Sequence, residues 1–85
     1  MKLTADQRKL LDDTVLAVIR AAPHALRFVE IDSRTRVKIG GDLGRDWSFR
    51  FTDGALQRLR RAGFVKTTRQ RWTPAIHPIT AQNES

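Results

Sequence analysis

WSFRFTDGALQRLRRAGF, residues Trp47 to Phe64, decides how this chain folds, because it fits two patterns at once. Trp47, Phe49 and Phe51 alternate as on a β-strand, yet the same residues also open a helix running to Ala62. Take a helical wheel at roughly 100° per residue with Leu56 at zero. Phe51, Ala62, Ala55, Leu59, Thr52, Leu56 and Phe49 then fill one arc from roughly 220° round to 20°. The complementary arc holds Arg60, Asp53, Gln57, Arg50, Arg61, Gly54 and Arg58, and no large apolar residue. A strand ending at Phe51 would leave the fit of Phe49 and Phe51 to that stripe as coincidence. The spacing therefore predicts one helix over residues 49–62, capped by Ser48 and stopped by Gly63.

Upstream, Thr4-Ala5-Asp6-Gln7 has the form of a capping box, and Leu11, Val15, Val18, Ile19 and Ala22 follow at helical spacing. Pro23 pushes Ala22 out of the helical region, so a first helix is predicted over residues 5–21. Leu26-Arg27-Phe28-Val29-Glu30-Ile31 is rich in strand formers and predicts a short strand. After it, Ser33 can cap a helix through Leu43, with Val37, Ile39 and Leu43 inward and Gly44 at its end. Gly40-Gly41 costs that helix about 1 kcal/mol each relative to alanine. The rival is a hairpin of residues 26–31 with 35–39, since Thr35, Val37 and Ile39 also alternate.

Downstream, Phe64 to Thr68 and Arg71 to Thr73 are two β-prone segments around Arg69-Gln70. They predict a hairpin whose link lacks the Gly or Asn that tight turns favour. Residues 75–85, AIHPITAQNES, carry little hydrophobic pattern and read as a flexible C-terminal tail to a domain over residues 1–74.

With 85 residues, of which 40% are hydrophobic, the chain has room for one modest core and not for a large enclosed active site. The longest aliphatic run, Val15 to Ile19, is far too short to cross a bilayer. No signal-peptide pattern opens the chain, so a soluble cytoplasmic protein is expected, with no membrane partner. The absence of cysteine removes disulfide frameworks, thiolate metal sites and cysteine nucleophiles together.

The net charge of +7 is unevenly placed. Residues 1–33 hold five bases and five acids, whereas residues 34–72 hold eleven bases and three acids. Twelve of the sixteen bases are arginine, whose planar fork suits phosphate oxygens and guanine edges. A polyanionic partner is the expectation that follows. Catalytic patterns are missing: His24 and His77 have no metal-like partner spacing, and Gly40-Gly41 matches no phosphate-loop fingerprint. No enzyme, cofactor or metal is expected.

The predicted order is helix, strand, helix, helix, hairpin, a mainly α fold with a small β-hairpin (α+β). It resembles the winged helix-turn-helix family over residues 5–74. Leu43-Gly44 looks like the pair closing that family's second helix, and Ser48 sits where its third helix is commonly capped. Ala55-Leu56, Leu59 and Gly63-Phe64-Val65 are similar to the stretch joining the third helix to the wing. The resemblance implies double-stranded DNA binding by a small transcriptional regulator, with helix 49–62 in the major groove and hairpin 64–73 as wing. Arg50, Asp53, Gly54 and Gln57 lie in the first half of that helix, where base contacts concentrate. Arg50 suits guanine, Gln57 adenine and Asp53 cytosine, and Gly54 permits close approach. Arg34, Arg36, Lys38, Arg58, Arg60, Arg61, Lys66, Arg69 and Arg71 are the phosphate-contact candidates.

A homodimer is expected from size alone, since one recognition helix buries little surface and two half-sites raise selectivity. Two alternatives stand beside DNA reading. One is a protein-binding inhibitor or adaptor using the same basic face against an acidic partner surface. The other is RNA binding, with Trp47 or Trp72 stacking unpaired bases, although core packing is the expectation for both indoles and for the four phenylalanines.

Overall fold

The computed structural model describes residues 3–75. They form α1 (Ala5–Ala21), β1 (Leu26–Arg27), α2 (Phe28–Ile39), α3 (Gly41–Arg45), α4 (Phe49–Ala62), β2 (Val65–Thr68) and β3 (Arg71–Pro74). The fold is mainly helical with one small antiparallel sheet of strand order β1-β3-β2.

Helix α1 begins where the capping box places it. The Gln7 backbone N–H donates to Thr4 Oγ1 at 3.1 Å, and the Thr4 N–H donates to Gln7 Oε1 at 2.9 Å. Leu11, Val15, Val18 and Ile19 are buried, and α1 packs along both α2 and α4. It stops at Ala22, whose extended backbone is the one that Pro23 requires.

The next segment departs from expectation. Only Leu26 and Arg27 are strand, and residues 28–31 already belong to α2. The reason lies in the partner strand: β1 pairs Leu26 with Trp72 and Arg27 with Arg71, and one step further β3 has given way to the Arg69-Gln70 turn. Phe28 and its successors have no ladder to join. Glu30 supplies the alternative, since its Oε1 accepts the Arg27 N–H at 3.0 Å and caps a helix. The hairpin of residues 26–31 with 35–39 is excluded by the same fact, because both of its arms lie in α2 apart from β1. Ser33 is therefore an exposed residue inside α2 and not its cap. Val37, expected to point inward, is 78% exposed, while Ile31 and Thr35 form the buried stripe.

Gly40 and Gly41 divide what the sequence presents as one helix. Gly40 has φ 56° and ψ −155°, a backbone region that essentially only glycine occupies, and Gly41 also has positive φ. The chain restarts as the short α3, which buries Leu43. Helix α4 then runs over the predicted residues. Ser48 Oγ accepts the Arg50 N–H at 3.2 Å. At the other end Gly63 is left-handed, with Gly63 N–H on the Arg60 carbonyl and Phe64 N–H on the Leu59 carbonyl, a Schellman stop.

Strands β2 and β3 form the predicted hairpin, with Thr68 opposite Arg71 across the two-residue Arg69-Gln70 link. The sheet has a third strand that was not anticipated as its member, since β1 pairs with β3. The core gathers Leu11, Val15, Val18 and Ile19 of α1, Ile31 of α2, Leu43, the α4 stripe Phe51, Ala55, Leu56 and Leu59, and Leu26, Val65 and Trp72 of the sheet. Ala75 donates its N–H to the Phe64 carbonyl. The rest of the expected tail lies outside the described residues. Among those described, no helix is long and apolar enough to cross a membrane.

Candidate nucleic-acid interface

The orientation of α4 is set by a polar contact that the sequence did not announce. Asp32 on α2 accepts two hydrogen bonds on one carboxylate oxygen, from Trp47 Nε1 at 2.8 Å and from Thr52 Oγ1 at 2.6 Å. Thr52 is fully buried. A carboxylate bonded in this way to the turn and to the first turn of α4 ties α2 to α4 at a fixed angle. Trp47 also meets Phe51 edge-on, with ring centroids 5.3 Å apart. Its indole N–H is thus engaged and its ring packs against Phe51, while Trp72 is buried and offers no open stacking face. Arg36 ties α2 to α3 by donating Nε–H to the Gly44 carbonyl at 3.1 Å.

With its apolar stripe turned to α1 and the core, α4 presents its other side to solvent. Arg50 and Asp53 are exposed in its first half, and Gly54 and Gln57 are half-buried. Arg60 and Arg61 are exposed further along. On the wheel Arg50, Gln57 and Arg61 fall together, so they share one face, with both arginines exposed and Gln57 half-buried between them. On the hairpin Lys66, Arg69 and Arg71 are exposed, as are Arg34, Arg36 and Lys38 on α2.

Arg58 differs from the other candidates. Its guanidinium forms a fork with Asp12 of α1, with Nε at 2.9 Å from one carboxylate oxygen and Nη2 at 2.7 Å from the other. Both side chains are partly buried. This arginine joins α4 to α1 within the fold. Gly54 lies under it: a Cβ added there would stand 3.2 Å from Arg58 Nη1. A side chain at Gly54 would thus meet the arginine one turn ahead, which would have to shift by a few tenths of an ångström.

Two aromatic residues fall outside expectation. Phe49, expected in the core, is the first residue of α4 and is 59% exposed. Phe64, just past the Schellman stop, is also exposed at its edge. Acids are scarce around these elements. Asp13 is paired with Lys9 and Asp42 with Arg45, both within one helix. Glu30 is held below the ordinary carboxylate value, first by the Arg27 N–H, against an opposing desolvation, and then by the charges of Arg34, His24 and Arg27. Among the described residues, no group of three or more His, Asp or Glu stands close enough to hold a metal ion. The chain matches no protein-family model, no curated protein and no solved structure.

Proposed function

We propose that this chain is a winged-helix protein that binds double-stranded DNA in a sequence-specific way, as a small dimeric transcriptional regulator. The observation that carries the proposal is the exposed face of α4, where Arg50, Gln57 and Arg61 line up on a helix whose other side is buried. A major groove admits one α-helix, and an arginine and a glutamine on its leading half suit guanine and adenine edges. The element order and the β1-β3-β2 sheet support the winged-helix assignment, with β2 and β3 as the wing. Arg60, Arg61, Lys66, Arg69 and Arg71 serve as phosphate contacts flanking the groove, and Arg34 and Lys38 add to them from α2. Arg36 and Arg58 contribute chiefly by holding the frame.

The test is affinity for duplex DNA across a salt series, with selection of bound fragments from a random pool. Binding that weakens steeply with salt and enriches one sequence is the expected result. Arg50→Ala and Gln57→Ala should each cost about 1–3 kcal/mol on the selected site and relax its sequence. Folded protein that binds no duplex at low salt would overturn the proposal. That outcome would favour a protein-binding module, a second role supported by Val29 and Val37, which stand 67% and 78% exposed on α2.

A further inference from the structure

Side chains alternate along a strand, so the buried Leu26 and Trp72 put their neighbours Arg27 and Arg71 on the outer face of the sheet. These two arginines are direct cross-strand partners. Directly opposite residues stand roughly 5 Å apart at Cβ, and like charges in that position repel. Among the described residues no carboxylate lies within ion-pair distance of either guanidinium. Glu30, close by in the chain, is turned to the Arg27 backbone N–H.

The pair borders a groove of about 900 Å³ between the hairpin and the start of α2. Arg69 and Gln70 line it from the turn, where both have positive φ. Phe28 and Val29 form an apolar wall on the α2 side. No residue of α4 lines it, so the groove lies apart from the proposed base-reading helix, although it shares Arg69 and Arg71 with the proposed phosphate contacts.

We propose that this groove binds a phosphate ester with a flat or apolar body, of the class and size of a nucleoside monophosphate. The phosphate sits between Arg27 and Arg71, each offering its planar fork, and the body lies against Phe28 and Val29. A dianion between the two guanidinium groups replaces one repulsion by two charge-assisted contacts, so binding and hairpin stability are linked. The apolar wall gives such a ligand an advantage over bare phosphate, which would leave Phe28 and Val29 wet. The volume falls within the range of small-ligand pockets.

Calorimetric titration of the full chain with each of the four ribonucleoside 5′-monophosphates, with adenosine and with inorganic phosphate tests this directly. At least one mononucleotide should bind about tenfold or more tightly than either fragment, and Arg27→Gln and Arg71→Gln should each weaken it by about tenfold. Arg61→Gln, on α4, should leave it unchanged. Without ligand, Arg71→Gln should melt no lower than the parent, since it removes a repulsion, and at one nucleotide concentration the melting temperature should rise more for the parent and Arg61→Gln than for Arg27→Gln or Arg71→Gln. Absence of mononucleotide binding, equal binding of adenosine or phosphate, or unaltered binding by both glutamine variants would overturn the proposal. Loss of duplex affinity alone in those variants would also overturn it, and would make the pair a contact to the DNA backbone.

Discussion

Asp32 is the residue on which the relation of α2 to α4 rests. Its single oxygen satisfies both the Trp47 indole and the buried Thr52 hydroxyl, and truncation leaves two donors without an acceptor. Asp32→Ala should therefore lower the unfolding free energy by on the order of 2–3 kcal/mol, and Asp32→Asn, which keeps an acceptor, by less. Urea unfolding of both variants measures this, and equal losses would show that the charge and not the hydrogen bonds matters. Glu30 makes a pH-dependent contribution of known sign. Its folded value is depressed, so the stability it adds is present above the ordinary glutamate value of about 4.3 and is lost as pH falls through the lower folded one. Glu30→Gln keeps the acceptor for the Arg27 N–H but cannot titrate, so urea midpoints should fall less steeply below about pH 4.5 than those of the parent.

Among the elements, the hairpin carries the clearest local cost. Arg69 and Gln70 have φ 53° and 64°, which suit the tight two-residue turn but are unfavourable for both side chains. Replacing them by Asn-Gly should stabilise the fold by about 1–2 kcal/mol in chemical denaturation. If Arg69 meets a phosphate, the same replacement should weaken duplex binding while the melting temperature rises. A parallel rise in both would remove Arg69 from the interface. The break between α2 and α3 follows a similar logic with a different residue type. There the positive φ falls on Gly40 and Gly41, so the turn forms without a side-chain clash.

Across the whole molecule the charge is divided by packing. Arg58 is drawn to Asp12 and Arg36 to a carbonyl, whereas Arg50, Arg60, Arg61, Lys66, Arg69 and Arg71 remain exposed on α4 and the hairpin. If Arg34, Lys38, Arg60, Arg61, Lys66, Arg69 and Arg71 each neutralise one phosphate, log K should fall with log salt at a slope of about −6. Arg61→Gln should make that slope shallower by about 1. Asp12→Asn, which loosens Arg58 without removing a cation, should leave the slope nearly unchanged and lower stability instead. A slope insensitive to Arg61 would take that residue out of the contact.

The limits of α1 and α4, their caps, the buried stripe of each apart from Phe49 and Ala62, and the hairpin were legible in the sequence, because all are local. Thr4 with Gln7, Ser48 with Arg50 and Phe64 with Leu59 act within five residues, and helical periodicity is a property of a single segment. The exposed basic face of α4 was legible for the same reason. Residues 26–43 were not. Leu26 to Ile31 has strand composition, but strand requires a partner, and only the register with β3 decides that pairing ends at Arg27. The same long-range contacts assign Arg58 to Asp12, Asp32 to Trp47 and Thr52, and Arg27 to a place opposite Arg71. Charge and periodicity along a chain name the residues able to interact, whereas which of them meet depends on how distant segments pack.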